Sequence, residues 1–382
     1  MPFLPFALPD ITEAEIEAVA EAMRSGWLTT GPNATAFERE FAEFLGTDAQ
    51  AVAVNSATAG LHLAFEAIGV GPGDEVLVPT WTFTSTAEAV RYLGGDPVLV
   101  DVDPATLCID LADAARKVTG RTVAVAPVHY AGLAVPNAAL TEFAARHGLR
   151  VVEDAAHAFP TVNEGTPVGA HGHAATVYSF YATKTMTTGE GGMVITPDED
   201  LAARMRTMRL HGIDRDVFDR YSSTRPSWHY DVVAPGYKYN LTDTAAAMGR
   251  VQLRRAPEMV ARRTTIAARY DEAFRGLPVT LPARPAEGST HAWHLYNLRL
   301  AADAPVSRDR FIALMAEAGV GTSVHFIPLH LQPYWRDTYG HAPEDFPVAS
   351  AEFERSVSLP IFSAMTDDDV EKVVATTAEI LG

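Results

Sequence analysis

Cysteine is nearly absent: Cys108 is the only one in 382 residues. A single thiol allows no internal disulfide and no cysteine-ligated zinc centre. Positive charge is also scarce, with 30 Lys and Arg against 48 Asp and Glu, a formal charge of −18. Phosphate backbones repel such a chain, which argues against duplex nucleic acid as its main partner. No uncharged run approaches the roughly 18 apolar residues of a membrane helix. The opening MPFLPFALPD is apolar but short, holds three prolines and lacks the basic start of a signal peptide. These absences lead to the expectation of a soluble, cytoplasmic protein in a reducing setting, with no membrane partner. What is present is ordinary for a globular chain: 47% hydrophobic and 20% charged residues. The length suits two domains, or one large domain with an appendage.

The first element to read is a helix. Thr12 and Glu15 have the spacing of a capping box, and Ile16, Val19, Ala20 and Met23 recur at helical period before Gly26. Seven short apolar runs come after it: Ala51–Ser56, Glu75–Thr80, Pro97–Val102, Thr122–His129, Arg150–Ala155, Ala175–Phe180 and Gly192–Thr196. Several are rich in Val and bounded by Gly, Pro or Asp, as buried strands are. Helical stretches at Thr58–Ile68, Thr84–Leu93 and Leu140–His147 alternate with them. That alternation predicts an α/β fold, a seven-stranded and mostly parallel sheet covered on both faces. The segment from about Ile213 to Pro235 is polar and aperiodic and reads as a long loop. A helical pattern broken at Pro257 resumes through Arg269 and Phe274. Strands at Leu295–Leu300 and Gly321–Phe326 then mix with helices at Ser307–Ala318 and Thr366–Leu381. The expected domains are residues 1–250, large, and 251–382, a smaller α+β unit.

Ligands of open α/β sheets collect beyond the carboxyl ends of the strands. Three such ends carry chemistry. The first reads Asn55-Ser56-Ala57-Thr58-Ala59-Gly60 and enters a helix directly, so it is either an anion site of free N–H groups or an ordinary helix cap. The fifth ends in Glu153-Asp154-Ala155-Ala156-His157, where Asp154 either faces the ligand crevice or caps the next helix. The sixth leads through Ser179-Phe180-Tyr181-Ala182-Thr183-Lys184 to Gly189-Glu190-Gly191-Gly192. A lysine among small and apolar residues is a Schiff-base nucleophile when desolvated, and a plain solvated lysine otherwise. Phosphate cradle, carboxylate and lysine together are the set that pyridoxal 5'-phosphate (PLP) requires.

The chain resembles the DegT/DnrJ/EryC1/StrS family of sugar aminotransferases nearly end to end. The resemblance is carried by Ser25–Pro32, Gly73–Val76, Pro79–Phe83, Glu153–Ala158, Ser179–Lys184, Gly189–Gly192, Gly236–Asn240 and Ser323–Phe326. It implies the aspartate-aminotransferase (type I) fold and PLP as cofactor. It implies that Lys184 anchors the cofactor covalently and shuttles the proton, while Asp154 pairs with the pyridine nitrogen. His157 would face the ring hydroxyl, Trp81 would stack on the ring, and Ala57, Thr58 and Ser179 would hold the phosphate. Trp27, Thr29 and His325 would line the substrate site. The Gly236–Asn240 loop would reach the phosphate of a neighbouring subunit in a homodimer. Many relatives read Gly-x-Asn-Tyr-Arg there, so Lys238 and Asn240 share that role as candidates. Ala57 replaces a commoner glycine, which matters only if its backbone needs a positive φ.

The segments Gly236–Asp243 and His291–Leu295 look most like 4-aminotransferases of nucleotide keto-sugars, such as the enzyme forming UDP-4-amino-4-deoxy-L-arabinose. L-glutamate would be the amino donor. Sugar C3 or cyclitol amination shares most of these motifs. Dehydratase relatives carry histidine in place of the lysine, which Lys184 opposes; a catalytically silent regulator would lack the Lys184–Asp154 pair. His171-Gly172-His173 has no third ligand at metal spacing, and no metal is expected. Arg254, Arg255, Arg262 and Arg263 read as a solvated helix face, and Asp367–Asp369 as the acidic first turn of a helix.

Overall fold

The computed structural model describes residues 3–214 and 229–382. Most of the expected loop at 213–235 therefore lies outside the described residues. Two helices open the chain, α1 (Glu13–Arg24) and α2 (Pro32–Leu45). Thr12 closes the expected capping box with Glu15. Strands and helices then alternate: β1 (Gln50–Val54), α3 (Ala57–Ala67), β2 (Glu75–Pro79), α4 (Ser85–Tyr92), β3 (Asp96–Val100), α5 (Leu111–Lys117), β4 (Thr122–Val125), α6 (Asn137–His147) and β5 (Arg150–Asp154). A small hairpin of β6 (Val162–Asn163) and β7 (Thr166–Pro167) precedes β8 (Ala175–Ser179), β9 (Gly192–Thr196) and α7 (Glu199–Met208).

The seven long strands form one sheet in the order β1-β9-β8-β5-β4-β2-β3. β9 runs antiparallel to both its neighbours, and every other pairing is parallel. The carboxyl ends of six strands therefore share one edge, and β9 begins at that edge. Apolar residues on both faces explain the near-continuous Val-rich runs. α3 lies so close to the sheet that a Cβ on Gly60 would sit 2.8 Å from Val177 Cγ1.

A helix of 32 residues, Asp243–Phe274, passes through Pro257 without a break, contrary to the sequence pattern. Proline removes one hydrogen-bond donor there. Burial of Leu253, Ala256 and Met259 around it holds the helix together. The expected boundary between residues 250 and 251 lies inside this helix. The C-terminal part holds a three-stranded antiparallel sheet, β10 (Val279–Thr280), β11 (Tyr296–Leu300) and β12 (Ser356–Leu359). Helices Arg308–Glu317 and Asp367–Leu381 pack there, capped by Ser307 and Thr366. Gly321–Phe326 is not the expected strand: it makes one isolated bridge, Ser323 to Ser358, and otherwise turns toward the sheet edge. Its Phe326 packs on the rings of Phe83 and His157 instead of in a sheet.

Candidate active site

At the end of β1 the chain turns straight into α3. Ser56 caps it, its hydroxyl accepting from the Ala59 N–H at 3.1 Å. The first N–H groups of a helix have no intrahelical acceptor. Those of Ala57 and Thr58, at the start of α3, are therefore available to an anion, a preference that the helix dipole strengthens. Ala57 is helical and not among the residues of positive φ, so the missing glycine costs nothing. A Cβ on Gly192 would meet Tyr178 O at 2.7 Å and the Ala57 N at 2.9 Å. Glycine is required where β9 passes against the first turn of α3. Ser179 ends β8 nearby, buried, its hydroxyl accepting from the Tyr181 N–H at 3.3 Å.

Asp154 ends β5 and is buried. One carboxylate oxygen accepts from the Thr86 hydroxyl at 2.7 Å, the other from the Ala156 N–H at 3.0 Å. His157 is three residues on, its Nδ1 accepting the Ala131 N–H at 3.2 Å. That bond leaves Nε2 to carry the proton of the neutral ring. Lys184 stands opposite. Burial pulls its amine down to about 8, against the upward pull of the Asp154 charge. Its Nζ lies 3.5 Å from His294 Nε2. His294 and His157 are in ring contact, centroids 4.3 Å apart. Both stay well below the ordinary imidazole range, through burial first and the charge of Lys184 second.

Trp81 is fully buried and donates its indole N–H to the His325 carbonyl at 3.0 Å. The Tyr130 hydroxyl donates to the same oxygen at 2.5 Å. The His325 ring is held between the Ser358 hydroxyl, 3.0 Å from Nδ1, and the Phe6 ring. Burial, and then Lys184, push it down to about 4. Phe326 stacks on His157 with centroids 5.7 Å apart.

The fold thus gathers Lys184, Asp154, His157, Trp81 and His325, with Ser179 and the Ala57–Thr58 turn along the same sheet edge. Lys238, Asn240, Trp27 and Thr29 belong to a second group beside β1. The Lys238 ammonium donates to Asn240 Oδ1 at 2.6 Å. Asn240 donates to the Thr30 hydroxyl at 2.8 Å and reaches Thr29 Oγ1 at 3.5 Å. The Trp27 indole donates to the Thr30 carbonyl and covers Gly31, where a Cβ would overlap the ring. No hydrogen bond joins Lys238 or Asn240 to Lys184 or Asp154 in this chain. Sequence reading missed Thr86, Tyr130 and His294. Only His294 left a signal, because His291–Leu295 stood out as a motif without a contact to attach to it.

His171 and His173 do not build a metal centre. His173 Nδ1 lies 3.2 Å from the buried Glu153, whose other oxygen is 3.0 Å from His129 Nε2. Among the described residues no group of three or more His, Cys, Asp or Glu could hold a metal, and no helix is long and apolar enough to cross a membrane. Cys108 is buried, with its thiol pushed up to about 11, and is inert.

The donors present fit PLP. A desolvated amine, a buried carboxylate, and free helix N–H groups with a serine hydroxyl are the polar atoms such a group needs. Comparison with known proteins agrees. The chain is 46% identical to the spore coat polysaccharide biosynthesis protein SpsC of Bacillus subtilis over 99% of this chain and 97% of that one. It superposes with a TM-score of 0.92 and 33% identity on Spr1654 of Streptococcus pneumoniae, provisionally described as a sugar aminotransferase, in its PMP form; 99% of this chain and 100% of that one are covered. The same protein in its PLP form matches with a TM-score of 0.92 and 32% identity, over the whole of both chains. The sugar aminotransferase CalS13 of Micromonospora echinospora gives a TM-score of 0.88 at 32% identity, covering 98% and 99%. The sequence profile of the DegT/DnrJ/EryC1/StrS aminotransferases matches residues 9–378. A PLP-dependent sugar aminotransferase, the chain belongs to the DegT/DnrJ/EryC1/StrS family.

Proposed function

We propose that the chain aminates a keto carbon, C4 in preference to C3, of a nucleotide-diphosphate keto-deoxysugar, with L-glutamate as donor and 2-oxoglutarate as second product. The observation that carries this reading is Lys184. Its amine is brought down to about 8 by burial, beside Asp154 and two neutral imidazoles. SpsC, named for polysaccharide biosynthesis, supports an amino-sugar product. The segments Gly236–Asp243 and His291–Leu295 support the nucleotide sugar.

Bound PLP supplies an electron sink and a carbon that carries nitrogen from donor to acceptor. Lys184 would hold that group and would carry a proton at its Nζ to and from the reacting carbon. A pKa near 8 suits both, because roughly a tenth to a fifth of the amine is neutral near neutral pH, against about a thousandth at the ordinary lysine value. Asp154, fixed by Thr86 and Ala156, would pair with the pyridine nitrogen. His157 would orient the ring hydroxyl, and Trp81 would cover the ring face. Ala57 and Thr58 N–H groups and the Ser179 hydroxyl would neutralise the phosphate. These local donors are needed because the field of a chain at −18 repels an anionic cofactor and substrate. Trp27, Thr29 and His325 would face the sugar. Lys238 or Asn240 would come from the second subunit of a homodimer with shared sites. Both half-reactions use one site, so kinetics should be ping-pong.

Lys184→Ala should remove both the visible cofactor absorption and turnover; sustained turnover would overturn the assignment. The glutamate-reduced enzyme should then be offered 3-keto and 4-keto nucleotide sugars and keto-cyclitols. A new amine at C4, read by NMR, supports the proposal, and amination only at C3 or on a cyclitol displaces it. A colourless protein unable to take up PLP would favour a silent binding homologue.

A further inference from the structure

His294 is held in the site by a firmly built loop. The loop around it is pinned on both sides to one short segment. The Ala292 N–H donates to the Gly132 carbonyl at 3.1 Å, and the Leu295 N–H to the Ala131 carbonyl at 3.2 Å. The Ala131 N–H is the group that holds His157 Nδ1. One peptide residue therefore sets the register of both imidazoles. Ala131 has φ +59° and Trp293, just before His294, φ +49°. Left-handed backbone in non-glycine residues costs free energy and persists where the surroundings enforce it. Here the enforcing contacts are visible. His291 stacks on Trp293 with centroids 3.9 Å apart and accepts its N–H at 2.8 Å. The buried Arg263 guanidinium donates to the carbonyls of Trp293, His294 and Ile361. All this places His294 Nε2 at 3.5 Å from Lys184 Nζ, and leaves His294 Nδ1 buried with no partner.

We propose that His294 is a positioning residue for Lys184: its neutral ring excludes water from the amine, and its Nε2 fixes the free Nζ between proton transfers. The proposal rests on Lys184 being the reactive amine. The groups facing Lys184 are Asp154 from β5, His157 and His325 from loops, and His294, with Arg263 of the long helix behind. Burial dominates over all of these in lowering the Lys184 amine, and His294 is one wall of that enclosure. Bonds near 3.5 Å in ligand-free sites commonly shorten when the site is filled.

The test uses apoprotein prepared from the holoenzyme. The rate of PLP uptake, followed by visible absorption, is measured against pH and reports the titration of Lys184. In the native chain it should turn near 8. His294→Ala should move that turn upward by at least about one unit, a tenfold loss of neutral amine below pH 8. It should also lower kcat with the glutamate KM unchanged. His294→Gln, of similar bulk and able to accept a bond, should restore the native titration. A His294→Ala titration identical to native, or a Gln variant shifted as far as Ala, overturns the proposal. If the Ala variant does not fold, His294→Leu replaces it, keeping the apolar wall without the acceptor. It should retain the titration near 8 but lose kcat, and native kcat in it would equally overturn the proposal. Failure of the underlying reading shows separately, as PLP uptake that survives Lys184→Ala.

Discussion

Lys184 and Lys238 sit beside the same edge of one sheet, after β8 and alongside the end of β1, and the protein treats them oppositely. Lys184 is walled by Asp154, His157 and His294, and burial brings its amine down to about 8. Lys238 is exposed, and its ammonium donates to a neutral amide, Asn240 Oδ1. The first is suited to act as a reagent because its surroundings make the charge costly. The second keeps its charge available, because no carboxylate among the described residues neutralises it. Residue type alone does not separate them. Desolvation does, and desolvation belongs to the fold.

The contrast is most fragile at Asp154. Asp154→Asn leaves the shape and the Thr86 contact possible but removes the charge at the pyridine end. Turnover should fall by about 10²–10⁴-fold, the scale of a positioned proton-controlling group. Because Asp154 pulls the Lys184 amine upward against burial, its loss should also carry the titration of Lys184 further down. Steady-state rates and the pH dependence of PLP uptake would show both. Native kcat in this variant would remove Asp154 from its assigned role.

Thermodynamics separates the two lysines further. An unfolded lysine titrates near 10.5 and the folded Lys184 at about 8, so between those values the unfolded chain holds the extra proton. Stability of the apoprotein should therefore rise with pH across that window, and the full penalty should stand below pH 8. The shift corresponds to a penalty of up to about 3 kcal/mol. Lys184→Met should stabilise the apoprotein at pH 7 by an amount of that order and flatten the slope between pH 8 and 10.5. Lys238→Met, at the surface, should change stability by less than about 0.5 kcal/mol at any pH. Urea unfolding of both variants over pH 7–11 makes the measurement; equal effects would erase the distinction between the two lysines.

The sheet was legible because buried parallel strands leave Val-rich runs between glycine, proline and aspartate. Asp154 was legible as a candidate because it ends such a run, and Lys184 because it follows one by a few residues among small and apolar neighbours. The features that failed to show depend on contacts distant in sequence. Pro257 looked like a helix break, yet packing of Leu253, Ala256 and Met259 carries the helix through it. Four arginines looked like a solvated face. Arg263 is instead buried on three carbonyls, and Arg255 pairs with Asp10 and Glu15 of the N-terminal segment. Arg262 pairs with Asp367 of the C-terminal helix. A solvated arginine and a buried one have the same helical spacing, so only the partner's position distinguishes them. His294 was hidden for the same reason: 110 residues separate it from Lys184.

The smallest expected effect tests the second lysine. Replacing Lys238 and Asn240 together by Ala removes the 2.8 Å bond to Thr30 and the bond between the two side chains. Both are at or near the surface, so the loss of stability should be about 1 kcal/mol. If the segment serves a neighbouring subunit's phosphate, the same change should weaken PLP retention by roughly tenfold, equivalent to about 1.4 kcal/mol. The single variants then divide the role. Lys238→Ala removes charge, and its effect should shrink at high salt, since an exposed charge is screened. Asn240→Ala removes a directed donor and frees the Lys238 ammonium, so its effect should be nearly independent of salt. Equilibrium dialysis of the double variant decides first: native PLP affinity there would confine Lys238 and Asn240 to holding their own loop against Thr30. Lys184 would then be the one lysine of the pair with a part in the chemistry.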